Sequence, residues 1–176
     1  MQFDLEHSID VLKRTPATLS QLLAGIDEAW ARSTEGPDTF SAFDVVGHLI
    51  DGDETDWVPR ARRILAGAPN HHFEPYDRFR HASRNARRNL DSLLDEFAVL
   101  RDANVKELQS WKLTEDQLDL PGQHPDFGTV TLRQLLSTWV VHDLDHIGQI
   151  VRVMAKRYRT EIGPWRKYLP IVDERQ

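Results

Sequence analysis

The chain has no cysteine in its 176 residues. Disulfides, thiolate zinc sites and a thiol nucleophile of its own are thereby excluded, so any metal must be held by nitrogen and oxygen. Long apolar runs are also missing, and the opening residues MQFDLEHSID carry acids where a signal peptide would carry a basic stretch and an apolar core. Neither membrane insertion nor secretion is expected, and a cytoplasmic location is. Positive charge is in deficit: 22 Lys and Arg face 28 Asp and Glu, a formal net charge of -6. Phosphate-driven nucleic-acid binding normally leaves a basic footprint, so it is not expected. Sustained strand-like alternation, internal repeats and low-complexity segments are absent as well. What remains, 40% hydrophobic and 28% charged residues, is the composition of a folded domain able to bury a core without staples. One domain over residues 1–176 is the expected organisation.

The dominant signal is a helical period with punctuation that marks four long segments. Ile9, Leu12, Leu19, Leu22 and Leu23 recur near helical spacing from about His7 to Gly25, and Thr15–Pro16 predicts a kink or a second start that splits this helix. Ser41 with Asp44 reads as a variant capping box that opens a helix running to about Ala66. GAPNHHFEPYD breaks the chain, and a third helix is expected from about Phe79 to Trp111 on Leu90, Leu93, Leu94, Phe97, Leu100 and Leu108. After a connection rich in Pro, Gly and Asp, Thr131 and Gln134 form a second capping box for a helix continuing to about Lys156. The C-terminal residues from Arg159, with two prolines, are expected to wrap the bundle as irregular chain. The fold class is all-α, a four-helix bundle.

The last helix carries TWVVHDLDHIGQI, an apolar stretch interrupted by His142 and His146. At about 100° per residue, Leu132, Leu135, Leu136, Trp139, Val140, Ile147, Ile150 and Met154 share its core face. The two histidines flank that face, and a spacing of four stacks their rings on one side of the helix. This is how a helix offers two nitrogens to one metal, although Asp143 after the first histidine departs from the zinc HExxH pattern. Satisfied core histidines are the ordinary alternative. Asp143 falls on the buried face and Asp145 points outward. A buried carboxylate needs a partner, and orienting a ligand imidazole is one such role, for which Asp143 and Gln149 are the candidates.

A third nitrogen must come from His7, His48, His71, His72, His81 or His124. His48, in VVGHLIDGDE, follows Gly47, which permits close backbone approach. Periodicity places it elsewhere: the wheel centred on Phe43, Val46, Ile50, Trp57 and Ile64 leaves His48 on the far, solvent side. His71 and His72 read as a solvated loop, and His124 in PGQHPDFG as a loop histidine that could overhang a cleft.

VVGHLIDGDE, followed far downstream by HPDFGTVTLRQLLSTWVVHDLDHIGQI, resembles the DinB-like superfamily of four-helix proteins, and the resemblance covers most of the chain. It implies an up-down-down-up bundle with a three-histidine metal site, whose ligands by resemblance are His48, His142 and His146. Members of that family include low-molecular-weight thiol transferases, among them bacillithiol transferases, and mycothiol-dependent isomerases. Three neutral imidazoles leave a divalent ion its charge and an open position, as in catalytic zinc sites, where a bound water or thiol becomes a nucleophile near neutral pH. With no cysteine in the chain, a thiol would arrive as a small co-substrate. Zinc is the first expectation, with nickel, manganese and iron open.

The expected function is metal binding, with transferase chemistry of the thiol S-transferase type or hydrolysis of a small molecule. The alternatives are a non-catalytic, stress-associated metal or small-ligand binder, or a structural helical dimer with core histidines. A homodimer is the expected assembly. Arg60, Arg62 and Arg63, with Arg78, Arg80, Arg84, Arg87 and Arg88, read as a solvated basic face, or else as an anion site for a carboxylate-bearing thiol. The tryptophans Trp30, Trp57, Trp111, Trp139 and Trp165 read as core or interface.

Overall fold

Four helices set the frame in a computed structural model that describes residues 2–67, 71–77 and 79–173. In chain order the helices are α1 (Leu5–Leu23), α2 (Glu28–Ala31), α3 (Ala42–Thr55), α4 (Trp57–Ala66), α5 (Arg80–Asn85), α6 (Leu90–Ser110), α7 (Glu115–Leu118) and α8 (Leu132–Lys156). Strands β1 (Pro121–His124) and β2 (Gly128–Thr131) form an antiparallel hairpin before α8. The bundle consists of α1, α3, α6 and α8. Directions follow from who meets whom. The starts of α3 and α6 share one apolar cluster, through Phe43 and Val46 with Leu90 and Leu93, together with the ends of α1 and α8, through Leu23 and Ile150. Ile9 and Leu12 of α1 join Leu135 and Leu136 of α8 and Val105 and Leu108 of α6 in a second cluster. So α3 and α6 run parallel to each other and antiparallel to α1 and α8, which is the up-down-down-up order.

Between the two apolar clusters lies a polar layer. Arg101 of α6, 1% exposed, donates to Asp53 of α3 at 2.8 and 2.9 Å and to both carboxylate oxygens of Asp143 on α8. Its Nη1 also donates to the Leu12 carbonyl of α1 at 3.1 Å. That carbonyl is the one Pro16, which has no N–H, leaves without an intrahelical donor. One guanidinium therefore touches all four bundle helices and mends α1 at its proline. As a result α1 is one continuous helix, not the two pieces that Thr15–Pro16 predicts.

Two expected helices are divided. The segment from Ser41 breaks at Asp56, because Pro59 cannot supply the N–H that would bond the Thr55 carbonyl, and α4 starts afresh at Trp57. The segment from Phe79 splits into α5 and α6, the latter capped by the Asn89 side chain accepting from the Ser92 N–H at 2.8 Å. Both capping boxes read from the sequence, Ser41–Asp44 and Thr131–Gln134, are formed. The hairpin was not anticipated, since four-residue strands are too short for alternation to register. Beyond α8 the chain forms 3-10 turns at Gly163–Tyr168 and Pro170–Val172, not irregular chain, and buries Val172. Among the described residues no helix is long and apolar enough to cross a membrane.

Candidate metal centre

One turn of α8 separates His142 from His146, and their ring centroids lie 4.3 Å apart. His48 reaches them from α3, with centroids 5.2 Å from His142 and 4.8 Å from His146. His48 is 7% exposed, which corrects the solvent-side placement. A wheel with one buried face does not describe α3, which packs against α4, α5, α6 and α8 at once. Gly47 serves a related purpose: a Cβ there would stand 2.5 Å from the Asn85 amide nitrogen, so the glycine leaves room for that side chain of α5 beside His48.

The Nε2 atoms converge. His142 Nε2 lies 3.1 Å from His48 Nε2 and 3.1 Å from His146 Nε2, and one ring nitrogen from each residue falls within a 4.8 Å set. Nitrogens bound at about 2.0–2.1 Å to a tetrahedral zinc are about 3.3–3.4 Å apart, so this spacing suits a shared divalent ion. Without a cation the arrangement is poorly satisfied. A single proton on His142 Nε2 serves one of its two contacts, while its buried Nδ1 has no partner among the described residues. Burial first, then His146 and Arg101, push His142 down to about 3, so its imidazole is neutral at neutral pH.

The remaining ring nitrogens show how the donors are aimed. His146 Nδ1 donates to Gln149 Oε1 at 2.8 Å, which leaves its Nε2 lone pair toward the cluster. His48 Nδ1 lies 3.1 Å from the Tyr76 hydroxyl. Burial and the carboxylates of Asp51 and Asp56 raise the Tyr76 phenol, which stays protonated. Its hydroxyl faces Asp51, 1% exposed and 3.1 Å from Arg80. When the phenol oxygen accepts from His48 Nδ1–H, His48 Nε2 also presents a lone pair. Asp143 does not play the part proposed for it: it is fully buried and turned to Arg101 instead of a ligand-type histidine. Tyr76 was missed because a coil residue 28 positions from its partner has no periodic signature; the Pro–Tyr–Asp run after a turn was the only hint.

The other histidines stand elsewhere. His81 is buried beside His48, at 5.9 Å between centroids. His71 and His72 belong to a short segment that pairs with Gln123, a firmer setting than a solvated loop. His124 sits on β1 and stacks on Phe127, and His7 is exposed on α1. The basic face is largely neutralised: Arg62 pairs with Glu107, Arg84 with Glu54 and Glu96, Arg88 with Glu96, and Arg60 with Asp56. Arg78 lies outside the described residues. Trp57 and Trp139 are core and stack on one another, whereas Trp165 is exposed.

Among curated proteins no sequence relative matches the chain. A solved structure similar to it is YfiT from Bacillus subtilis, described as a probable metal-dependent hydrolase with an unusual four-helix bundle topology. The match has a TM-score of 0.74 at 20% identity and covers 89% of this chain and 90% of that one, a likeness of fold. The model of the DinB superfamily matches residues 12–150, a span that holds His48, His142 and His146, and the chain belongs to that superfamily.

Proposed function

We infer that His48, His142 and His146 hold one divalent metal ion through their Nε2 atoms and that the protein is a metal-dependent hydrolase acting on a small molecule. The observation that carries this reading is the convergence of three ring nitrogens from two helices at mutual spacings suited to one ion. The description of YfiT as a probable metal-dependent hydrolase supports the same class. A divalent ion in an all-imidazole site supplies a Lewis acid with its charge intact, able to polarise a carbonyl or activate water. The chain's own contribution is to fix the donors: Gln149 holds the proton of His146 on Nδ1, and Tyr76 does the same for His48. Zinc is favoured, and nickel, manganese or iron would suit the same imidazoles. The second reading is transfer to a thiol, which, with no cysteine in the chain, would have to be a low-molecular-weight thiol from solution.

The test is turnover of ester, amide and electrophile panels by protein loaded with each metal, with and without added low-molecular-weight thiols. Metal-dependent hydrolysis lost in His146→Ala is expected. Turnover that requires the thiol would select transfer, and bound metal without turnover in any panel would select a non-catalytic binder.

A further inference from the structure

Beside the histidine cluster lies a cavity of about 180 Å³ between α4, the hairpin and the start of α8. We propose that it receives a single uncharged ring, or an apolar group of that size, carried by the substrate whose reacting end lies at the histidines. The proposal rests on the metal-site reading for the reacting end, while the ring site stands on its own geometry.

Position is the first argument. Trp57 lines the cavity and sets its ring edge-on to His142, 5.0 Å between centroids. Leu135 and Thr138 line it from α8, and Thr138 precedes His142 by four residues on the same side of the helix, about 6 Å away along the axis. The cavity therefore lies one side chain, Trp57, away from the cluster.

The walls are the second argument. Trp57, Phe73, Phe127, Val130 and Leu135 supply apolar surface, and the volume resembles that of an apolar protein cavity of about 150 Å³ that admits benzene. Several polar groups along the wall are already engaged. Thr138 donates its hydroxyl to the Gln134 carbonyl at 2.7 Å, and Gln134 Oε1 accepts from the Thr131 N–H at 2.9 Å. Arg60 is paired with Asp56 and donates to the Glu74 carbonyl at 3.2 Å. His124 Nδ1 accepts from the Asp126 N–H at 3.1 Å. A charged ligand would find its counter-charges spent, whereas an apolar ring loses no hydrogen bond on entering. Phe127, 77% exposed at the hairpin tip, is held over the mouth by stacking on His124 at 4.5 Å.

Fluorobenzene, followed by 19F line broadening and saturation transfer, is the probe. It should bind the wild type in the millimolar range and bind equally after chelator treatment and in His146→Ala, which separates this site from the metal. Val130→Trp, at a half-buried hairpin position, should fill the cavity and weaken binding at least tenfold. Phe127→Ala, an exposed change that leaves the core untouched, should weaken it about threefold. No binding by the wild type, or equal binding by wild type and both variants, would overturn the proposal without touching the metal reading. Loss of metal from His146→Ala with fluorobenzene retained supports both.

Discussion

At the scale of single residues, the histidines matter through the atoms that face away from the cluster. Gln149 and Tyr76 each engage an Nδ1, and ligand imidazoles whose outer nitrogen loses its partner typically bind metal about 10–100-fold more weakly. Tyr76→Phe keeps the ring and its burial but removes the oxygen that His48 needs. Its metal affinity, measured by competition with a chromophoric chelator, should fall about tenfold or more, as should that of Gln149→Ala; unchanged affinity in both would remove these residues from the site. His142 gives a second test, in metal-free protein. Its folded imidazole titrates at about 3 and the unfolded one near 6.5. Between those values the unfolded chain binds a proton that the native state does not, so stability falls as pH drops below about 6.5. Urea unfolding at pH 7 and 4.5 should show wild type losing on the order of 2 kcal/mol more than His142→Gln. Burial raises Asp53 and Asp56 and gives the opposite slope, but equally in both proteins, so it drops out of the difference. Parallel pH curves would contradict the buried neutral state of His142.

At the scale of elements, Arg101 ties the four bundle helices together through polar contacts. Removing it alone, as in Arg101→Leu, strands Asp53 and Asp143 in the core and leaves the Leu12 carbonyl without a donor. A loss of about 3–5 kcal/mol is expected from the uncompensated charges. Replacing all three charged groups by apolar ones should cost much less, because the desolvation penalty goes with them. Urea midpoints of the single and triple variants check this, and a single variant within 1 kcal/mol of wild type would contradict it. The same scale shows what was legible beforehand. Two helix starts were, since Ser41–Asp44 and Thr131–Gln134 are local devices, and so was the His142–His146 pair, which one helix fixes by spacing alone. His48 was legible only through family resemblance, because the wheel assumes one buried face and α3 has several neighbours. Arg101 gave no signal, and Tyr76 only the faint one of a Pro–Tyr–Asp run after a turn. The first looks like one more polar position in a leucine-rich helix, and the second lies in a Pro-flanked coil; their partners come from elements far away in sequence.

For the whole molecule, the antiparallel packing of α3 on α8 brings His48 beside the middle of α8, and the two apolar clusters hold that crossing firm on either side of the Arg101 layer. The frame is expected to form without the histidines. The central claim, one divalent ion held by three imidazoles, is tested most directly by metal stoichiometry and affinity of the purified chain and of His48→Ala, His142→Ala and His146→Ala, with helicity followed by circular dichroism. One ion per wild-type chain is predicted, with metal–nitrogen distances of about 2.0–2.1 Å by X-ray absorption if the ion is zinc. Each variant should remain helical and bind no metal at concentrations that saturate the wild type. A wild type that takes up no ion, or variants that bind as tightly as the wild type, would contradict the account and leave the three histidines as members of the core.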